Sequence, residues 1–185
     1  MQFKFYLGGN EMSENKVSNN LKTKVDGRVL IIERIFDAPR DLVFKAYSEP
    51  EHLANWWGPS GWQTENRQFE FKPNGVWHYC MRCTDKNQGD FYGQESWGKA
   101  VYHEIVVPEK IVYTDSFADE EGNAVGDMPK MLITMEFEKH EGKTKLITRT
   151  QFASVETLQQ IMEMGVVEGT ASQYSCLDDY LKEIQ

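Results

Sequence analysis

Basic residues are the first scarcity. Lys and Arg together number 20 against 29 Asp and Glu, and the formal net charge is −9. A nucleic-acid binder needs a basic face for the phosphates, and a protein docking on anionic lipid needs a polybasic patch. The balance argues against both, so no nucleic acid and no membrane insertion are expected. Long apolar runs are also missing. The longest purely aliphatic stretch is Val29-Leu30-Ile31-Ile32, far short of the ~20 residues a membrane helix requires. The N-terminus, MQFKFYLGGNEMSEN, has no sustained apolar stretch and no small-residue cleavage site, which makes it a poor signal peptide. Cysteine is rare, with 3 in the chain. An odd, low count argues against a disulfide framework and for reduced thiols, so the expected localisation is cytoplasmic. No GxSxG, HExxH or phosphate loop occurs, and no Ser-His-Asp or Cys-His arrangement is visible.

What remains is the composition of a globular domain. The chain has 185 residues, 40% hydrophobic and 12% aromatic. A chain of this size buries roughly 70% of its unfolded surface and needs no staple to fold. Glu11 to Lys24 is polar and Asn-rich, so residues 1–26 read as a flexible N-terminal extension, within which Phe3, Phe5 and Tyr6 suit a short strand. Residues 27–185 read as the folded domain.

Period and punctuation order the elements. Arg28 to Phe36 is β-branched and apolar, a strand. Pro39 stands at the start of a helix that carries Leu42, Val43, Ala46 and Tyr47 on one face. Ser48-Glu49-Pro50-Glu51 has the form of a capping box, opening a second short helix with Leu53, Trp56 and Trp57. From Trp62 to Phe152 the period is two. Trp77, Tyr79 and Met81 share one strand face; Phe91 to Ile105 reads as one long strand; Ile111, Tyr113 and Phe117 share a face; Met131, Ile133, Met135 and Phe137 alternate cleanly. Short turns between the strands imply an antiparallel meander. Ser154 caps a long terminal helix with stripes at Leu158, Ile161, Met162 and at Tyr174, Leu177, Leu181, bent near Gly165. The expected fold class is α+β: a curved antiparallel sheet of about six to seven strands around a long C-terminal helix, with two short helices after the first strand. The space between such a sheet and its helix is a natural pocket.

Several residues invite chemistry. His78-x-Cys80-x-x-Cys83 looks like a metal or redox motif, but residues three apart on a strand point to opposite faces, and no second ligand pair follows at zinc-site spacing. No metal site is expected. Trp56-Trp57 reads as a staple pinning a short helix to the sheet rather than as a ligand platform. His52 and His140 sit in polar contexts. His78 and His103 lie on strands, where an inward one would suit a general base and an outward one a solvated residue. Glu95, Asp115, Arg149 and Gln151 interrupt strand patterns, and the expectation is that they face out. Any that turned inward would be the polar anchor of an apolar pocket. Trp77, Tyr79, Met81, Trp97, Met135, Met162, Val166, Thr170 and Tyr174 are the expected ligand-binding residues, with no catalytic residue and no cofactor assigned.

The order of elements resembles the helix-grip fold of the START-like (SRPBCC) superfamily, which includes the birch-pollen-allergen proteins. Within it the chain resembles the family named for the activator of the heat-shock-protein-90 ATPase. The resemblance is carried by Arg34-Ile35-Phe36-Asp37-Ala38-Pro39-Arg40 with Val43-Phe44, and most specifically by Glu49-Pro50-Glu51-His52-Leu53-Ala54-Asn55-Trp56-Trp57-Gly58-Pro59. Asn74-Gly75-Val76-Trp77, Glu104-Ile105 with Pro108 to Thr114, and Gly142 to Leu146 add to it. It runs from about Arg28 to Leu181. The last helix departs from the family pattern, with Gly169-Thr170 where Gly-Trp is usual, which vacates space between helix and sheet. The resemblance implies a small apolar or amphipathic ligand as partner, with a homodimer admitted. It also implies three alternatives: an enzyme of the cyclase, aromatase or hydrolase kind in the same cavity, a co-chaperone-like interaction module acting on a heat-shock ATPase, or a stress-related or regulatory domain with a filled core. In the eukaryotic activator a separate N-terminal domain precedes this one, and residues 1–26 are too short to supply it.

Overall fold

A computed structural model describes residues 21–127 and 130–185. Eight strands form one antiparallel sheet: β1 (Leu21–Asp26), β2 (Val29–Phe36), β3 (Trp62–Phe69), β4 (Val76–Cys83), β5 (Glu95–Val106), β6 (Lys110–Phe117), β7 (Met131–His140) and β8 (Lys143–Gln151). Their order is β1-β2-β8-β7-β6-β5-β4-β3. Helices α1 (Arg40–Ser48) and α2 (Pro50–Trp56) carry the chain from β2 to β3 at the far edge. Helices α3 (Val155–Glu163) and α4 (Val166–Ile184) close the domain. This is the helix-grip arrangement.

Strand alternation selects the face that is covered. On β2, Leu30, Ile32, Arg34 and Phe36 are buried while their neighbours are half-exposed. The register carries the same face across the sheet through Leu146 and Thr144 of β8 and Met135 and Phe137 of β7. Helix α1 adds Val43, Phe44, Ala46 and Tyr47, and α2 adds Leu53 and Trp56. The Trp56 indole N–H donates to the Ala46 carbonyl at 3.0 Å, which locks the two short helices together.

The expectations differ from the fold at four points. The sheet begins before Arg28: Leu21–Asp26 pairs residue for residue with Val29–Arg34 as an edge strand. This supplies the eighth strand. Residues 1–20, including Phe3, Phe5 and Tyr6, lie outside the described residues. The supposed capping box at Ser48 does not form. The Ser48 hydroxyl bonds back to the Lys45 carbonyl, Glu49 is the N-cap without a side-chain bond, and Pro50 with its fixed φ opens α2. Strand β5 starts at Glu95 rather than Phe91, because Lys86–Phe91 forms a 3₁₀ turn. The bend expected near Gly165 is a full break, with Gly165 at φ 87°, a left-handed conformation that glycine adopts without a Cβ clash.

Helix α4 is fixed at one end. Tyr174, Leu177 and Leu181 are buried, each stabilising by about 2 kcal/mol. Tyr174 packs edge-on to Phe36 at 5.3 Å, and its hydroxyl bonds Thr148 Oγ1 at 2.9 Å. Between them the Arg34 guanidinium, 5% exposed, pairs with Asp178. Burial pushes the Asp178 carboxyl up despite the attraction of Arg34. Among the described residues no helix is long and apolar enough to cross a membrane. Removing Asp178 leaves a buried guanidinium uncompensated. Asp178→Ala is expected to destabilise by about 3 kcal/mol in denaturant titration, and Arg34→Met with Asp178→Leu to recover most of that loss.

Candidate functional site

The concave face at the β4–β6 end is built by the same alternation. Trp77, Tyr79 and Met81 of β4 stand opposite Ala100, Gly98 and Ser96 of β5. Gly98 and Ala100 in turn meet Phe117 and Asp115 of β6. Asp115 therefore shares the covered face with Ile111 and Tyr113. It is the one member of the Glu95, Asp115, Arg149 and Gln151 set that turns inward. Glu95 pairs with Arg82 and Arg149 with Glu136 on the opposite face, and Gln151 stands across from Val29 and Leu132 there.

Gly98 decides how Tyr79 lies. A Cβ at Gly98 would overlap the phenol ring and its oxygen. Without one, the ring extends over β5 and its hydroxyl reaches Asp115, donating to the carboxylate at 3.3 and 3.5 Å. These are long bonds for an O–H donor. The Ser116 backbone N–H donates to Asp115 Oδ1 at 3.1 Å. Two further phenols, Tyr102 and Tyr113, are close enough to feel the Asp115 charge. Among the described residues no Lys, Arg or His forms an ion pair with it. Burial raises the Asp115 carboxyl to about 7, against the opposing bonds from Tyr79 and Ser116. Burial and the Asp115 charge together push the Tyr79 phenol up as well.

Trp57 forms the neighbouring wall. Its ring meets Trp77 edge-on at 4.8 Å and Tyr79 at 5.9 Å. It also contacts Tyr47 and Trp56, so the residue acts as staple and wall together. The Trp77 indole N–H donates to Asn66 Oδ1 at 2.7 Å, and Asn66 donates to the Pro50 carbonyl, tying the aromatic wall to the start of α2.

On both sides of Gly165, helix packing loosens. From Met162 to Gln173 no residue is buried, whereas Tyr174, Leu177 and Leu181 farther along are. Met162 and Val166 pack half-buried against the core. Thr170 is half-buried, its hydroxyl bonded to the Val166 carbonyl. The Ser60 backbone N–H in the α2–β3 loop donates to Ser172 Oγ at 3.3 Å.

The expected lining thus divides. Trp77, Tyr79 and Met81 stand together on the covered face, and Met162, Val166 and Thr170 lie on the loosely packed helical stretch. Met135 shares the covered face three strands farther, opposite Ile111 of β6 and Thr148 of β8. Tyr174 sits at the sealed end. Trp97 is displaced: it pairs with Cys80, whose side chain points the other way from Tyr79. There Trp97 stacks against His78 at 5.2 Å beneath the Arg67 guanidinium. Its parity on β5 follows from the pairing of Gly98 with Tyr79, which sequence alone did not specify.

The histidines all lie elsewhere. His78 is outward, bonding the Asp119 carbonyl, and His103 at a β5 irregularity bonds Thr114. His52 bonds Tyr180 and His140 ends β7. Cys80 and Cys83 occupy opposite faces of β4, as their spacing requires. Sequence reasoning missed Asp115 and Gly98. Asp115 had a visible signal, since it shares parity with Ile111 and Tyr113. Gly98 had none without the register.

Two outcomes follow from this geometry. Gly98→Ala is expected to cost about 2 kcal/mol by forcing the Tyr79 ring aside, and to cost clearly less in a Tyr79→Ala background, as a double-mutant cycle in urea will read. The second concerns pH. The folded Asp115 carboxyl ionises near 7 and the unfolded one near 3.8, so its contribution to stability is full below about pH 4 and is lost as pH rises through about 7. Asp115→Asn is expected to match the parent at pH 4 and to exceed it by about 2 kcal/mol at pH 8, about half of the full linkage value because the half-buried side chain is partly screened by solvent. Thermal melts at both values check the sign.

Comparison with known proteins agrees with this architecture. The family described as activator of Hsp90 ATPase homolog 1-like protein matches residues 37–182. No curated protein matches the chain. The crystal structure of protein Ms6760 from Mycobacterium smegmatis is similar at 29% identity and TM-score 0.74, over 86% of this chain and 94% of that one. A solution structure from Arthrobacter aurescens is similar at 28% identity and TM-score 0.78, over 88% and 91% of the two chains. One from Staphylococcus epidermidis is similar at 27% identity and TM-score 0.76, over 89% and 95%. With most of its length matched by the family and its sheet and helices superposing on these structures, the chain belongs to the activator of Hsp90 ATPase homolog 1-like family.

Proposed function

We propose that the domain binds a small hydrophobic or amphipathic molecule between the β4–β6 face and the stretch Met162–Gln173. The observation that carries this is the contrast along the helical cover. Its far half buries three side chains, while its near half buries none above a wall of Trp57, Trp77 and Tyr79. Trp77, Tyr79, Met81, Met162, Val166 and Thr170 form the lining in this reading, and Asp115 with Tyr79 is the polar anchor that orients the ligand. In this reading the domain works in the cytoplasm, where its three free cysteines stay reduced.

One observation favours a second reading. A carboxyl held near 7 beside a phenol suits general acid–base work at neutral pH, so Asp115 is the residue an enzyme of the cyclase, aromatase or hydrolase kind would use. The co-chaperone reading rests on the family description alone.

Titration with the neutral probe N-phenyl-1-naphthylamine tests the binding reading. The parent is expected to give saturable, blue-shifted emission at one site per chain. Thr170→Trp is expected to abolish that signal while the cooperative melt persists, because the indole fills the space opposite the wall. Undiminished probe binding by Thr170→Trp moves the site away from this helix.

A further inference from the structure

We propose that the ligand of this site is an amphipathic organic cation, an ammonium group on an apolar body, whose charged head is taken by the Asp115 carboxylate within a ring of phenols. This inference rests on the binding reading above and specifies its ligand class.

The argument begins with the acceptor capacity of Asp115. A carboxylate offers about four lone-pair directions. Here Oδ1 receives the neighbouring Ser116 N–H, and the pair of oxygens shares one phenol at 3.3 and 3.5 Å. At least half of the capacity is left for something else. A structural buried carboxylate ordinarily has a cationic partner in its own chain, as Asp178 has in Arg34. Asp115 has none among the described residues, although the full chain carries 20 Lys and Arg. A partner supplied from outside completes the pair.

The groups that face Asp115 fit a cation and not an anion. They are Tyr79 from β4, Tyr102 from β5 and Tyr113 from β6 itself. Ala100 and Met131 stand opposite it on β5 and β7, and α4 brings Tyr174 near Tyr113. All four titratable neighbours are neutral phenols at physiological pH. Phenol faces carry negative quadrupole density, which attracts ammonium groups most strongly where water is excluded. The walls beyond, Trp57, Trp77 and Met81, are apolar and match a hydrocarbon or aromatic body. The charge of the whole chain, −9, draws cations toward it and disfavours anions.

Proton linkage supplies a second signature. The empty site holds the carboxyl largely protonated at pH 6, because burial raises it to about 7. An ammonium head needs the ionised form, so binding displaces that proton to buffer.

The test compares two probes of equal chain length, decyltrimethylammonium and decanol, displacing N-phenyl-1-naphthylamine below their micelle concentrations at pH 8. The parent is expected to prefer the cation by about tenfold or more, and in Asp115→Asn the two probes are expected to displace the dye at equal concentrations. Calorimetry of the cation at pH 6 in buffers of differing ionisation enthalpy is expected to register release of most of one proton, absent in Asp115→Asn. Equal or stronger displacement by decanol in the parent overturns the cation assignment and leaves the hydrophobic site standing. So does a preference that survives in Asp115→Asn. Failure of dye, alcohol and cation alike overturns the binding reading itself, and the cation assignment with it.

Discussion

Arg34 occupies a position where the alternation of β2 calls for an apolar side chain. Leu30, Ile32 and Phe36 around it are buried hydrophobes, and the guanidinium is placed among them with Asp178 of α4 as its counter-ion. Two apolar residues would hold sheet and helix together at least as well. What the ion pair adds is a fixed geometry, since a guanidinium and a carboxylate meet in few orientations. It sets α4 at one height along the sheet. Tyr174 then reaches Thr148, and Leu177 and Leu181 fall into the core. Everything nearer the start of α4 inherits its distance from the sheet from this anchor.

The two inward acids of the fold are therefore opposites. Asp178 is matched within the chain, and its partner is part of the scaffold. Asp115 is answered by phenols and a single backbone N–H. The Tyr79 ring that reaches it depends on a missing side chain at Gly98, and the ring is backed by Trp57, itself fixed by α1 and α2. The short helices after β2 thus serve the site as well as the core, because they hold its aromatic wall from behind.

How much of this was legible follows from the physics of each element. Period-two patterning identified the faces of β4 and β7, since burial on one side repeats every second residue. It missed Leu21–Asp26 because an edge strand beyond the helical cover has little to bury; only Leu21 escapes full exposure there. The strand is held by backbone pairing, and Lys22 and Lys24 on that edge suit a strand that must not recruit another. Trp97 was assigned by residue type, and pairing across β4 and β5 overruled it. Asp115 was expected outside with the other polar residues that interrupt the strand patterns, on the period-two rule. Its parity with Tyr113 within the same strand carried the opposite message. The helix break at Gly165 was visible as a weakness, but its left-handed backbone was not.

That break has a kinetic consequence. With Gly165 at φ 87° and the next helix starting at Val166, hydrogen bonding between α3 and α4 is interrupted, so the two segments are separate rods. The joint itself, Met162 to Gln173, has no buried side chain and little buried surface to lose on moving, while Leu158 and Ile161 hold the start of α3 in the core. The anchored half has much more. Local opening at this joint therefore costs far less than unfolding the domain. In the binding reading proposed above, a molecule under the cover would enter and leave by fraying that joint while the Arg34 anchor stays intact, and residence time and fold stability would be set by different parts of one helix.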